Sequence, residues 1–171
     1  MHSHHEKAPF VCAALLIVIT ILTGIGTFTD YWGTMTTGGT TFAHTGLYHW
    51  GKSDGNNVFQ KQPSWWKCVV VCQLMAFSFE LLFLILVIPA MIFRKHMPVH
   101  AVCSFLSFVI FILLTISVIV FGVNVDDYQK FGVKLRVGWS WGISLAADIL
   151  AFFLLLVNGT STGFSAYQTY R

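Results

Sequence analysis

Charge is what this chain lacks most. Its 171 residues include ten Lys and Arg, seven Asp and Glu, and a charged share of 10%, against about 25% in an ordinary soluble domain. With 56% hydrophobic residues and a mean hydropathy of +0.71, there is too little polar surface for a water-soluble globule. Disorder is excluded as well, because aromatics reach 16% and the net charge is only +3. Cysteine and proline are sparse, at four each, which excludes a disulfide-dense secreted scaffold. What remains is an integral membrane protein, in which each helix crosses roughly 30 Å of hydrocarbon with about 20 apolar residues.

Four runs meet that length: Phe10–Phe28, Cys68–Phe93, Ala101–Gly122 and Gly138–Val157. None has the short alternating pattern of a barrel strand. The first follows Lys7 but exceeds the 7–15 apolar residues of a signal peptide and lacks a small-residue cleavage site, so it reads as a span. The expected fold is a membrane all-α four-helix transmembrane bundle, one domain over residues 1–171. An even number of spans puts both termini on one side. Lys7, Arg94, Lys95 and Arg171 then oppose Lys52, Lys61, Lys67, Lys130, Lys134 and Arg136, so the positive-inside count sets no orientation. The sequon Asn158-Gly159-Thr160 abuts the fourth span, too near the membrane for glycosylation.

The loops at 29–67 and 123–137 lie on the side away from the termini. The first is rich in β-formers around Tyr31, Trp32, Thr34, Thr36, Thr37, Thr40, Thr41 and Phe42, and Gly38-Gly39 is a hairpin signal. Tyr48-His49-Trp50 reads as a further strand, and Trp65-Trp66 as an interfacial pair before the second span. A two-stranded hairpin is marginal alone. The sequence therefore predicts a small antiparallel β-sheet resting on the bundle, completed by other strands, one of them from the third loop.

Two short motifs carry a resemblance. Trp32 followed by Gly46-Leu47-Tyr48, and Gly132, Leu135, Gly138 and Trp139 at the entry to the fourth span, resemble the claudin, peripheral myelin protein and epithelial membrane protein superfamily. The resemblance implies a claudin-like fold and an extracellular sheet. It also implies cytoplasmic termini and a plasma-membrane protein at cell–cell junctions. The function implied is adhesion or a paracellular barrier, through contacts with itself or related four-span proteins in cis and trans. The same superfamily also holds auxiliary subunits of ion channels and receptors, of the calcium-channel gamma and AMPA-receptor regulatory type, so a pore subunit is the alternative partner. Two features depart from the pattern. Claudins carry a disulfide-forming cysteine pair in the first loop, and residues 29–67 contain no cysteine; Thr169-Tyr170-Arg171 also differs from the apolar end that PDZ domains capture.

Several residues stand out as candidate sites. Glu80 and Asp148 sit near the midpoints of their spans, where a charge costs at least about 2.5–3.5 kcal/mol. No Lys or Arg lies in any span, so Thr20, Thr23, Ser107 and Thr115 are the expected hydroxyl partners, with a shared proton or a partner-helix contact as the sharper reading. Cys12 and Cys103 lie near span ends on the terminus side, where thiols can be palmitoylated. Cys68 and Cys72 are one helical turn apart, too far for an unstrained bridge. Phe42, Leu47, Trp50, Tyr128 and Phe131 are candidate loop contacts. The ten charges of the two loops interleave both signs, which gives no strong ion selectivity. His2, His4, His5, His44 and His49 complete no metal set, and no catalytic arrangement or phosphate loop is visible. The chain thus reads as non-enzymatic, free of cofactors, and partnered by lipid and protein without nucleic acid.

Overall fold

The computed structural model describes residues 8–37, 40–48, 59–92, 99–125, 129–130 and 133–169. Four helices carry the chain across the membrane: α1 (Ala8–Phe28), α2 (Ser64–Ile92), α3 (Val99–Val125) and α4 (Trp139–Thr169). Their membrane-crossing portions are Phe10–Phe28, Ser64–Val87, Val102–Val125 and Trp139–Gly159. The second begins four residues before the expected Cys68, because Pro63 caps it: its carbonyl accepts from the amides of Trp66 and Lys67. Pairing α1 with α2 and α4, and α3 with α2 and α4, closes a four-helix ring. Apolar side chains such as Ile21, Ile85, Phe105, Ile119 and Phe153 stay exposed on its outside, as lipid contact requires.

The sheet has four strands in the order β2-β1-β4-β3, all antiparallel. β1 (Gly33–Thr37) and β2 (Thr40–Thr45) come from the first loop, β3 (Gln129–Lys130) and β4 (Val133–Val137) from the last. The last loop therefore supplies two strands, one more than expected, and β4 pairs directly with β1. The hairpin closes at Thr37↔Thr40, the register Gly38-Gly39 predicts, although those two glycines lie outside the described residues. A bulge follows, with Met35 opposite Ala43 and Thr36 opposite Thr41, so Phe42 is the extra residue. The expected strand at 48–50 is not formed at Tyr48, which lies in a bend and makes a ring contact with Phe59, just ahead of α2. His49 and Trp50 lie outside the described residues.

Alternation splits the sheet into two faces. Gly33, Thr45 and Leu135 are buried against the bundle, with Met35 partly so, while His44, Lys134 and Arg136 are exposed on the other side. Under the sheet lies a second core, separate from the one along the bundle. It joins Trp32, Leu47, Trp66, Val69, Val70, Phe121, Val125 and Leu135. Phe121 is its hub, with the rings of Trp32, Trp66 and Trp65 at 5.0, 5.5 and 6.0 Å. The indoles bring polar ends that find partners: Trp32 Nε1 donates to the Gly26 carbonyl, and Trp66 Nε1 to the Leu47 carbonyl at 2.9 Å.

The sheet is joined to the helices where the chain leaves α1 and re-enters at α4. The Gly138 amide donates to the Trp32 carbonyl at 2.7 Å and the Ser140 amide to the Tyr31 carbonyl at 3.2 Å, which satisfies the start of α4. A β-carbon on residue 138 would stand 1.9 Å from that Tyr31 oxygen. Gly138→Ala is therefore expected to cost at least about 3 kcal/mol, because backbone rather than a flexible side chain must move. Limited proteolysis and detergent unfolding of the purified variant check this: cleavage should begin in residues 29–67 while the four helices persist.

Candidate functional site

The motif residues gather at this seat. Trp32 is fully buried, Leu47 and Leu135 nearly so, and Gly46 lies against the turn after α1, where a β-carbon would come within 2.9 Å of the Asp30 Cα. Tyr48 is half-buried on Phe59, with ring centroids 5.6 Å apart. Trp139 is half-exposed beside Tyr31, at 5.2 Å, and Tyr31 in turn lies 4.5 Å from His44. The motif thus binds two loops to four helices, while the accessible surface lies on the opposite face. There the register aligns Arg136, Thr34 and His44 in one row and Lys134, Thr36 and Thr41 in the next. The Thr36 hydroxyl donates to the Lys134 carbonyl at 3.3 Å. Gly132, Trp50, Tyr128 and Phe131 lie outside the described residues, and of Phe42 only the backbone is described.

With the seat and the outward face in view, comparison with known families gives one result. The family described as "tight junction protein, claudin-like" matches residues 3–162. The chain belongs to this claudin-like family. It is a multi-pass membrane protein of the tight-junction type. No curated protein matches it. Because residues 29–67 hold no cysteine, the seat of this claudin-like chain rests on indole hydrogen bonds, aromatic packing and the β1–β4 ladder. All four cysteines are free.

Inside the bundle the two midplane acids do find threonine hydroxyls. Thr23 Oγ1 donates to Glu80 Oε1 and Thr115 Oγ1 to Asp148 Oδ1, each at 2.9 Å. The other two hydroxyls expected as partners turn back on their own helices: Thr20 donates to the Leu16 carbonyl and Ser107 to the Cys103 carbonyl, each at 2.8 Å. Glu80 thus joins α2 to α1, and Asp148 joins α4 to α3. Glu80 is fully buried, and its Oε2 has no hydrogen-bond partner among the described residues.

Sequence reasoning missed a more central group. Gln73 on α2 accepts from Ser117 of α3 at 2.6 Å and donates to Ser144 of α4 at 3.1 Å, so one amide ties three helices. Nearer the sheet, the Ser140 and Thr29 hydroxyls lie 2.7 Å apart, joining α4 to the end of α1. The signal was present: Ser140, Ser144 and Asp148 recur every fourth residue, as one face of a helix requires. At the opposite end Asn158 is buried, accepting from Cys12 Sγ at 3.2 Å and donating to Ser107 Oγ at 2.7 Å. Its amide works inside the bundle rather than as a glycan acceptor. Cys12 and Cys103 are both 8% exposed and belong to the same core cluster, so neither thiol is presented to lipid for acylation.

The two carboxyl–threonine pairs belong to different helix pairs, so Thr23→Val and Thr115→Val should act independently. Each is expected to lower stability in detergent unfolding by about 0.6 kcal/mol, the average for such intramembrane bonds. The double variant should show the sum within about 0.5 kcal/mol. A larger coupling would mean that the two acids share one network.

Proposed function

We propose that this claudin-like chain is a non-enzymatic adhesion or barrier protein of cell–cell contacts, with cytoplasmic termini and the sheet outside. The observation that carries the reading is the seat itself. Strands from both outer loops form one sheet, and its attachment at Gly138, Trp32 and Leu47 leaves the opposite face accessible. A surface ordered in advance loses less conformational entropy when it meets a partner across the intercellular gap. Hydroxyl and basic groups alternate on that face, through Thr34, Thr36, His44, Lys134 and Arg136, with no carboxylate among the described strand residues. A barrier lined this way disfavours cations mildly.

The partners are further copies or related four-span proteins, through the sheet across the gap and through lipid-facing helix surfaces within one membrane. Expression of the chain alone in non-adherent cells tests the reading. Fluorescently tagged protein is expected to concentrate in strands where two expressing cells touch, and Gly138→Ala should abolish this while the protein still reaches the surface. Protein that stays diffuse, or that surfaces only with an ion-channel pore subunit, would overturn adhesion in favour of an auxiliary-subunit role.

A further inference from the structure

Where the sheet meets the helix ends, three rings and a guanidinium lie together on the accessible side. Trp139 opens the membrane-crossing part of α4 and is 49% exposed, and Tyr31, between α1 and β1, is 37% exposed. Their ring centroids are 5.2 Å apart with planes at 31°, and the Tyr31 ring lies 4.5 Å from His44 at 44°. The tilts make a folded aromatic wall rather than a flat stack. His44, Thr34 and Arg136 form the outward row of the sheet closest to the helices, and neighbouring strands stand about 4.8 Å apart. Three residues separate Arg136 from Trp139, so their backbones are at most about 10 Å apart.

These side chains do little for the fold. Tyr31, His44, Arg136 and Trp139 belong to neither apolar core. Arg136 is exposed and makes no side-chain hydrogen bond or ion pair among the described residues. Tyr31 and Trp139 sit at the end of the spans, the headgroup level where amphipathic rings settle. Below Trp139 the same stripe of α4 continues through Gly142 and Ala146, both exposed, to Ile149 and Phe153. A β-carbon on Gly142 would meet nothing within 4 Å, so the helix surface is low and open to lipid directly beneath the rings.

The chemistry of the cluster selects its ligand. Aromatic faces attract quaternary ammonium groups such as choline, and a guanidinium pairs with phosphate through two parallel N–H donors. The charges bordering the rings balance. Arg136 lies on one side, and on the other Asp30 lays its carboxylate against Gly46, two residues past His44. That balance suits a zwitterion, because Asp30 repels a headgroup of net negative charge. A primary ammonium is compact and strongly hydrated, so it gains less from the rings than a trimethylammonium does.

We propose that Tyr31, Trp139, His44 and Arg136 hold the headgroup of a phosphocholine lipid from the sheet-side leaflet, with an acyl chain lying along α4 over Gly142 and Ala146. The trimethylammonium rests on the Trp139 and Tyr31 rings, and the phosphate takes donors from Arg136, with the Thr34 hydroxyl and the His44 ring beside it. A lipid held there ties the sheet to the membrane surface at the junction with α4. The site rests on neither the adhesion nor the auxiliary-subunit reading.

The test uses the full chain in detergent. Native mass spectrometry follows addition of phosphatidylcholine, phosphatidylethanolamine or phosphatidylglycerol with identical dioleoyl chains. One phosphatidylcholine per chain should stay bound at a collision energy that strips the other two lipids. Arg136→Ala, and Tyr31→Leu combined with Trp139→Leu, should each lower its occupancy by about tenfold. Lys134→Ala, one row further out, should leave it unchanged. Arg136→Lys keeps the charge without the fork and Trp139→Phe keeps an aromatic face, so both should retain partial binding in protein that runs as a single species on gel filtration. Excess glycerophosphocholine, which lacks acyl chains, should not displace the lipid; displacement would reassign the site to a soluble headgroup and overturn the lipid proposal. Equal retention of the three lipids, or phosphatidylcholine occupancy unchanged in either Arg136→Ala or the ring double variant, would overturn it in favour of ordinary annular lipid.

Discussion

The four-stranded sheet hangs from the passage of Gly138 against the backbone of Tyr31 and Trp32. Two hydrogen bonds fix the start of α4 to the chain leaving α1, and the approach is close enough that any side chain at 138 would strike the Tyr31 carbonyl. That contact sets β1 and β4 side by side, so strands more than ninety residues apart in sequence become neighbours in one ladder. Burial of Trp32 against Phe121, with its indole hydrogen-bonded to the Gly26 carbonyl, then locks the sheet over the helix ends. Family members are expected to brace this loop with a disulfide; here residues 29–67 offer no cysteine for one, and aromatic burial plus satisfied backbone groups carry the attachment.

The interior follows a related logic. Lipid supplies no hydrogen bonds, so every polar side chain in a span must find its partner within the bundle. Thr23 with Glu80, Thr115 with Asp148, Gln73 with Ser117 and Ser144, and Asn158 with Ser107 and Cys12 together link all four helices. Apolar packing alone is equally content with many rotations of one helix against the next. Polar pairs at fixed depth select one of them, which keeps the four helix ends in the arrangement that seats the sheet.

Much of this was legible in the sequence. The four apolar runs, the midplane acids with their threonine partners, and the Gly38-Gly39 hairpin register are local features with local causes, and they appear where the sequence puts them. The second strand from the last loop was harder, because Gln129–Lys130 is too short to announce itself and exists only by pairing with β4. Tyr48 has the composition of a strand yet turns to meet Phe59. Cys12 and Cys103 sit at span ends that resemble acylation sites, but helix rotation turns them inward, and periodicity in an almost wholly apolar run does not reveal that rotation.

The sequence alone determined that this is a four-span membrane protein carrying a small sheet, since apolar run length and turn chemistry act over a few residues. Its two short motifs already pointed to the claudin-like family. Only the tertiary structure decided what those motif residues do, which cysteines face outward and which polar groups meet. Those outcomes depend on contacts between segments far apart in the chain, where the close approach of one backbone to another, rather than any local preference, fixes the geometry.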